Sequence, residues 1–289
     1  MTTEQTSAAS RRWVFPNAFD FIAMCAWVFI SQYIAVIAAT ACGLQIPDIT
    51  LLESPDDDIS LISQLQMAQS LVIVYPVSML LSVCGIIGYR LLRGGRGKLA
   101  RFSAAGLDPA LILGSFVWMI AAQIVIEPLL TLLPDVPNVV GRGFFAILVT
   151  VVLAPLFEEF LCRGIILESF RAKYGVTVAW IVSSLFFSAI HGQITSMVNA
   201  LIIGSILGFV CIRSRSVLSS IILHSLNNCL ALAAISFGLG DSTFSDIIPD
   251  RNTYIGIYVI SAVVCLAGFV SLARRLAAER RREKYPVQE

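Results

Sequence analysis

An all-α bundle of about eight membrane-crossing helices follows from three observations. The 289 residues are 57% hydrophobic and only 13% charged, whereas soluble domains carry about 25% charged residues. The apolar residues fall in runs near the ~20 positions that an α-helix needs to cross hydrocarbon. The cations, finally, are confined to alternate connections. Of the 20 Lys and Arg, all but Arg142, Arg163 and Arg251 fall in one set: Arg11 and Arg12, Arg90 to Arg101, Arg171 and Lys173, Arg213 and Arg215, and Arg274 to Lys284. The other set holds Asp48, Glu53, Asp56, Asp57, Asp58, Asp135, Asp241, Asp246 and Asp250. The positive-inside rule then predicts a multi-pass cell-membrane protein with both termini cytoplasmic, and hence an even number of spans. A net charge of +1 excludes nucleic acid as a partner, which requires a strongly basic face.

The runs justify eight helices in order. The first, Phe19–Cys42, ends near a cleavage-like Ala39-Thr40-Ala41, but it is longer than the roughly 7–15 apolar residues of a signal peptide and is read as a retained span. The second and third are Met67–Leu92 and Pro109–Leu133; Glu127, beside Pro128, sits near the outer end of the third as an interfacial acid. The fourth, Gly143–Phe170, carries charge in mid-membrane. Val176–His191, Ser196–Ile212, Val217–Phe237 and Tyr254–Ala273 complete the set. The breaks contain Gly, Pro, Asp and Arg, as turn chemistry requires. Asp56-Asp57-Asp58 reads as a solvated acidic loop, Glu168 as surface charge beside Arg171, and the basic tail as a solvated continuation of the last helix along the inner leaflet. The seven cysteines include no CxxC pair and read as small packing residues. These elements divide the chain into N-terminal helices (1–142), a central core (143–238), and an outer loop, last helix and basic tail (239–289).

The chemistry concentrates in the core. Charged groups at membrane depth cost several kcal/mol unless paired or wetted, so they mark function by default. The fourth run holds Glu158-Glu159-Phe160-Leu161-Cys162-Arg163. Residues four apart share a helix face, which pairs Glu159 with Arg163 and leaves Glu158, about 100° away, without that partner. Glu158 is thus the carboxylate free to take a proton from water. Pro155 just upstream is positioned to kink the helix and free carbonyls. The only two histidines follow: His191, one turn after Phe187, and His224, on one face with Asn228. Asn227 is rotated off that face. Between them, Gly204 and Gly208 form a GxxxG that allows close helix approach.

Glu-Glu-x-x-x-Arg, then Phe-x-x-x-His, a glycine-bearing helix and His-x-x-x-Asn resemble the CPBP (Abi) intramembrane endopeptidases, which include the type II CAAX prenyl proteases. The resemblance covers about Val151 to Leu230. It implies proteolysis of a membrane-associated peptide or protein, with Glu158 and His191 activating a water and His224 and Asn228 stabilising the oxyanion. Glu159, Arg163 and Phe187 take supporting roles. The family is often called metalloprotease, and Glu158, His191 and His224 with an open position match a catalytic zinc set; against zinc stand the absence of HExxH and of an obvious second carboxylate behind either histidine.

Two rivals stay open from the residues: a non-catalytic immunity or scaffold protein of the same fold, and a proton-coupled transporter using Glu and His as a relay. One difficulty also stays open. At 1.5 Å per residue, His224 lies roughly 12 Å and His191 roughly 25 Å from the inner interface, yet a shared site needs one depth.

Overall fold

The computed structural model describes residues 15–53, 57–95, 99, 102–134, 140–239 and 242–284. Arg11, Arg12, Asp56, Arg96, Lys98, Arg101, Asp135 and Asp241 lie outside the described residues. The described chain is all-helical, and seven of its helices are long and apolar enough to cross a membrane. They are α1 (Ala18–Ala41), α2 (Asp57–Leu92), α3 (Pro109–Leu130), α4 (Phe144–Tyr174), α6 (Ile194–Ser214), α7 (Val217–Ser236) and α8 (Arg251–Lys284). The eighth, α5 (Val176–Ala189), is apolar but has only 14 residues, about 21 Å of rise. The fifth expected span is therefore present but short, and it stops before His191.

Helix starts follow ordinary capping. Asn17 and Asp20 form a reciprocal capping box at α1, Asp108 caps α3 ahead of Pro109, and Ser216 caps α7; each satisfies amides that a helix start leaves unpaired. Asp57 and Asp58 belong to the first turn of α2 rather than to a loop. Helix α4 is not uniform. It winds through π-helical turns at Leu148–Leu153 and again at Phe160–Leu167, on either side of an α turn holding Pro155, Glu158 and Glu159. Such turns shift the helix register and recur at functional sites.

Packing places one core at the centre of the bundle, where Leu161, Cys162, Ile165 and Ile166 of α4 meet Phe186 and Phe187 of α5 and Ile206 and Leu207 of α6. Large apolar side chains on the outer faces of α1, α3 and α8, among them Ile37, Leu113 and Leu266, are left uncovered, as expected where the solvent is lipid. The α5–α6 pair is tight because α6 presents glycines. A Cβ on Gly204 would meet the Phe187 ring at 2.9 Å, and one on Gly208 would meet Trp180 at 3.0 Å. The GxxxG acts as expected.

The basic connections gather at one end. Lys173 Nζ and Tyr174 Oη both donate to the Pro16 carbonyl (2.8 and 2.9 Å), Ser216 Oγ donates to Ser103 O (2.8 Å), and Arg171 reaches Glu279 and Glu283 near the end of α8 (3.1 and 2.7 Å). At the other end, Arg142 N donates to Gln64 O and Thr195 Oγ1 to Pro134 O. Glu127 accepts the backbone N–H of Phe244 there, an interhelical tie consistent with its interfacial reading.

Candidate active site

The paired carboxylates face different neighbours. Glu159 is fully buried and accepts from Arg163 Nη1 at 2.9 Å, the i,i+4 pair read from spacing. Arg163 is equally buried; its Nη2 donates to Gly204 O at 2.6 Å, and its guanidinium lies over the Phe187 ring, 4.8 Å from the centroid. A glycine at 204 brings the α6 backbone close enough for that bond. Charges this deep are tolerated because the guanidinium's contacts replace water.

Glu159 also holds a histidine. His224 Nδ1 lies 3.1 Å from the same Oε1, and since a carboxylate accepts, Nδ1–H donates and leaves Nε2 facing away from Glu159. The carboxylate missing from the sequence reading behind a histidine is thus Glu159, 65 residues away in sequence. His191 is oriented in a like manner. It lies in the turn after α5, exposed, with Nδ1 2.6 Å from Phe187 O; a carbonyl only accepts, so here too Nε2 is the available nitrogen.

Phe187 joins the two histidines. Its ring centroid is 4.8 Å from that of His191 and 5.5 Å from that of His224. The depth difficulty resolves here. Helix α5 ends at Ala189 and His191 folds back onto Phe187, so that both imidazoles contact the same phenyl ring. The three motifs, on α4, α5 and α7, therefore meet around one phenyl ring.

Glu158 points elsewhere. Its Oε1 accepts from Tyr75 Oη of α2 at 2.7 Å. Sequence spacing could not find Tyr75, which lies 83 residues upstream and outside the motifs.

Asn228 is oriented by a missing donor in the backbone ladder of α4. In the first π turn Ala154 N–H bonds Val149 O, one residue farther than in an α-helix. The next bond of that ladder would join residue 155 to Thr150 O, and Pro155 has no N–H to give. Asn228 Nδ2 supplies the missing donor, 2.9 Å from Thr150 O. Asn227, set aside from the sequence, is the more buried of the two amides. It donates to Asn228 Oδ1 (3.2 Å) and accepts from Gln123 Nε2 of α3 (2.9 Å). Thus α2 and α3 both contribute to a site otherwise built by α4 to α7.

Among the described residues, no three His, Cys, Asp or Glu side chains are gathered closely enough to hold a metal ion. The zinc set of Glu158, His191 and His224 does not assemble in this arrangement.

The described residues form an all-helical bundle with membrane-length helices and an acid–imidazole centre at its core, and comparison with known proteins finds a similarity over that centre. Residues 141–230 match the family model of the type II CAAX prenyl endopeptidase Rce1-like proteins. The chain is also 32% identical over 136 residues to an uncharacterized 24.3 kDa protein of Escherichia coli, a match that covers 44% of this chain. It spans 60% of the length of that curated relative. No solved structure matches the chain.

Proposed function

We propose that this protein is an intramembrane endopeptidase that hydrolyses a peptide bond of a membrane-associated protein or peptide, using a water activated at Glu158. One observation carries the reading. Glu159 is fully buried and ion-paired through Oε1 to Arg163 and His224, its Oε2 enclosed without a hydrogen-bond partner, whereas half-buried Glu158 meets only a neutral phenol at Oε1, and its Oε2 makes no hydrogen bond among the described residues. An adjacent pair of acids is thereby split into a structural member and a reactive one.

In this reading Glu158 Oε2, with His191 Nε2 alongside, takes a proton from water as its oxygen bonds to the scissile carbonyl carbon. The carbonyl electron pair moves onto oxygen. His224, when protonated, donates from Nε2 to that oxyanion, and the amide hydrogen of Asn228 not spent on Thr150 is the second donor; such donors lower a barrier by about 3–4 kcal/mol each in a dry site. The C–N bond then breaks, the electron pair returns from oxyanion to carbonyl, and the leaving nitrogen takes the proton held by Glu158. The protein sits in the cell membrane as a multi-pass bundle, with the basic end and both termini cytoplasmic.

Two measurements test the proposal. Quantitative proteomics of cells carrying wild type or Glu158→Ala is expected to show uncleaved membrane-associated precursors accumulating in the variant. With purified protein in liposomes and a quenched farnesylated Cys-aliphatic-aliphatic-X peptide, Glu158→Gln is expected to lower the rate by about 100-fold or more. A Glu158→Gln protein that folds, cleaves at the wild-type rate and leaves no precursor uncleaved sinks the mechanism.

A further inference from the structure

The hydrogen bond to Glu158 comes from outside the family-matched segment. Tyr75 lies on α2, which packs against the first π turn and the acid-bearing turn of α4, and its Oη is 2.7 Å from Glu158 Oε1. Towards a carboxylate a phenol can only donate. Its single proton therefore marks one oxygen as held and leaves the other for a second partner. Without that anchor, a carboxylate on a flexible side chain samples a broad terminal torsion, and a general base must stand within hydrogen-bond reach of the proton it removes.

The phenol itself is well placed to act as an anchor. Tyr75 precedes Pro76 within α2, and its ring belongs to the apolar packing around the α4 core, so ring and backbone are fixed while only the hydroxyl reaches the acid. We propose that Tyr75 is a positioning residue for Glu158: it fixes the carboxylate through Oε1 and presents Oε2 to the water. This rests on the proteolytic reading above, and it gives the N-terminal helices a part in the chemistry. Tyr75 keeps its proton throughout and never meets the substrate.

Tyr75→Phe removes only the hydroxyl and leaves the ring packing in place. With the farnesylated peptide in liposomes, kcat is expected to fall about tenfold with KM within about twofold of wild type, the pattern of an interaction realised in the transition state. Infrared difference spectra supply a readout independent of any substrate: the carboxylate band that disappears in Glu158→Gln is expected to shift in Tyr75→Phe. A wild-type kcat, an unshifted band, or a loss seen only in KM or in the melting temperature overturns the proposal. If Glu158→Gln itself cleaves normally, the proteolytic reading fails instead; if that variant is dead and Tyr75→Phe is normal in rate and spectrum, the positioning role alone fails.

Discussion

At the scale of single residues, Asn228 shows how one side chain serves backbone and chemistry together. Its amide replaces the N–H that Pro155 withholds from the Thr150 carbonyl, and the same bond aims the amide across the site. Leaving a buried carbonyl unpaired costs about 1–3 kcal/mol. Asn228→Ala is therefore expected to lower stability by that amount, and a Pro155→Ala background, which restores a backbone donor to this stretch, is expected to recover most of the stability and none of the peptidase activity. Equal destabilisation on both backgrounds, read by thermal melting in detergent, would show that the amide serves something other than the carbonyl. Part of this scale was legible in the sequence. The Glu159–Arg163 pair follows from a spacing of four, and Phe187 beside His191 from the same rule. The bonds from Glu159 to His224 and from Tyr75 to Glu158 were not legible, since no local periodicity relates residues 65 or 83 positions apart.

At the scale of helices, the site depends on how closely α5 and α6 approach. Gly204 lets the Phe187 ring lie against the α6 backbone and exposes its own carbonyl to Arg163. Gly204→Ala places a methyl 2.9 Å from the Phe187 ring, in a core where overpacking costs about 1–3 kcal/mol. The ring that both histidines touch must then shift, so activity is expected to fall more than stability does. Gly88→Ala is the control on α2, where a methyl meets nothing within 4 Å, and is expected to be neutral or slightly stabilising. If both alanine variants are equally active, close approach of α5 and α6 is irrelevant to the chemistry. The number and order of helices could be read from apolar runs, because hydrocarbon thickness imposes a length on any lipid-crossing helix. The early stop of α5 and the π turns of α4 could not, since both depend on partners that only the assembled bundle supplies.

At the scale of the whole molecule, α8 closes the basic end. It runs 34 residues, about 51 Å, far more than the ~30 Å of hydrocarbon. The part beyond the lipid is anchored. Glu279, 3% exposed, accepts from Arg171, Arg275 and Arg282 at 2.8 to 3.1 Å and faces Arg215 at 3.9 Å, tying α8 to the ends of α4 and α6. The basic tail read from the sequence as a solvated flank is in this stretch a clamp, recognisable only once buried Glu279 is seen among the arginines of three elements. Glu279→Ala leaves those cations facing one another. It is expected to cost about 1–3 kcal/mol, less than the 3–5 of a fully buried pair because Arg215 and Arg282 are mostly exposed. Added salt is expected to narrow the gap in melting temperature between variant and wild type; a gap that widens with salt would count against the clamp.

The π turns of α4 bear on how such a chain can change over evolutionary time. In the first of them Ala154 N–H reaches Val149 O, five positions back, so the turn carries one residue more than an ordinary one, and losing one position within Leu148–Leu153 with a return to the ordinary repeat would leave the faces of both acids nearly where they are. A deletion among Leu148, Val149, Val151 and Val152 is thus easier to absorb than one in a regular stretch of helix, where every later residue would turn by about 100°. The wide turn is a reserve of length in the helix that carries both acids.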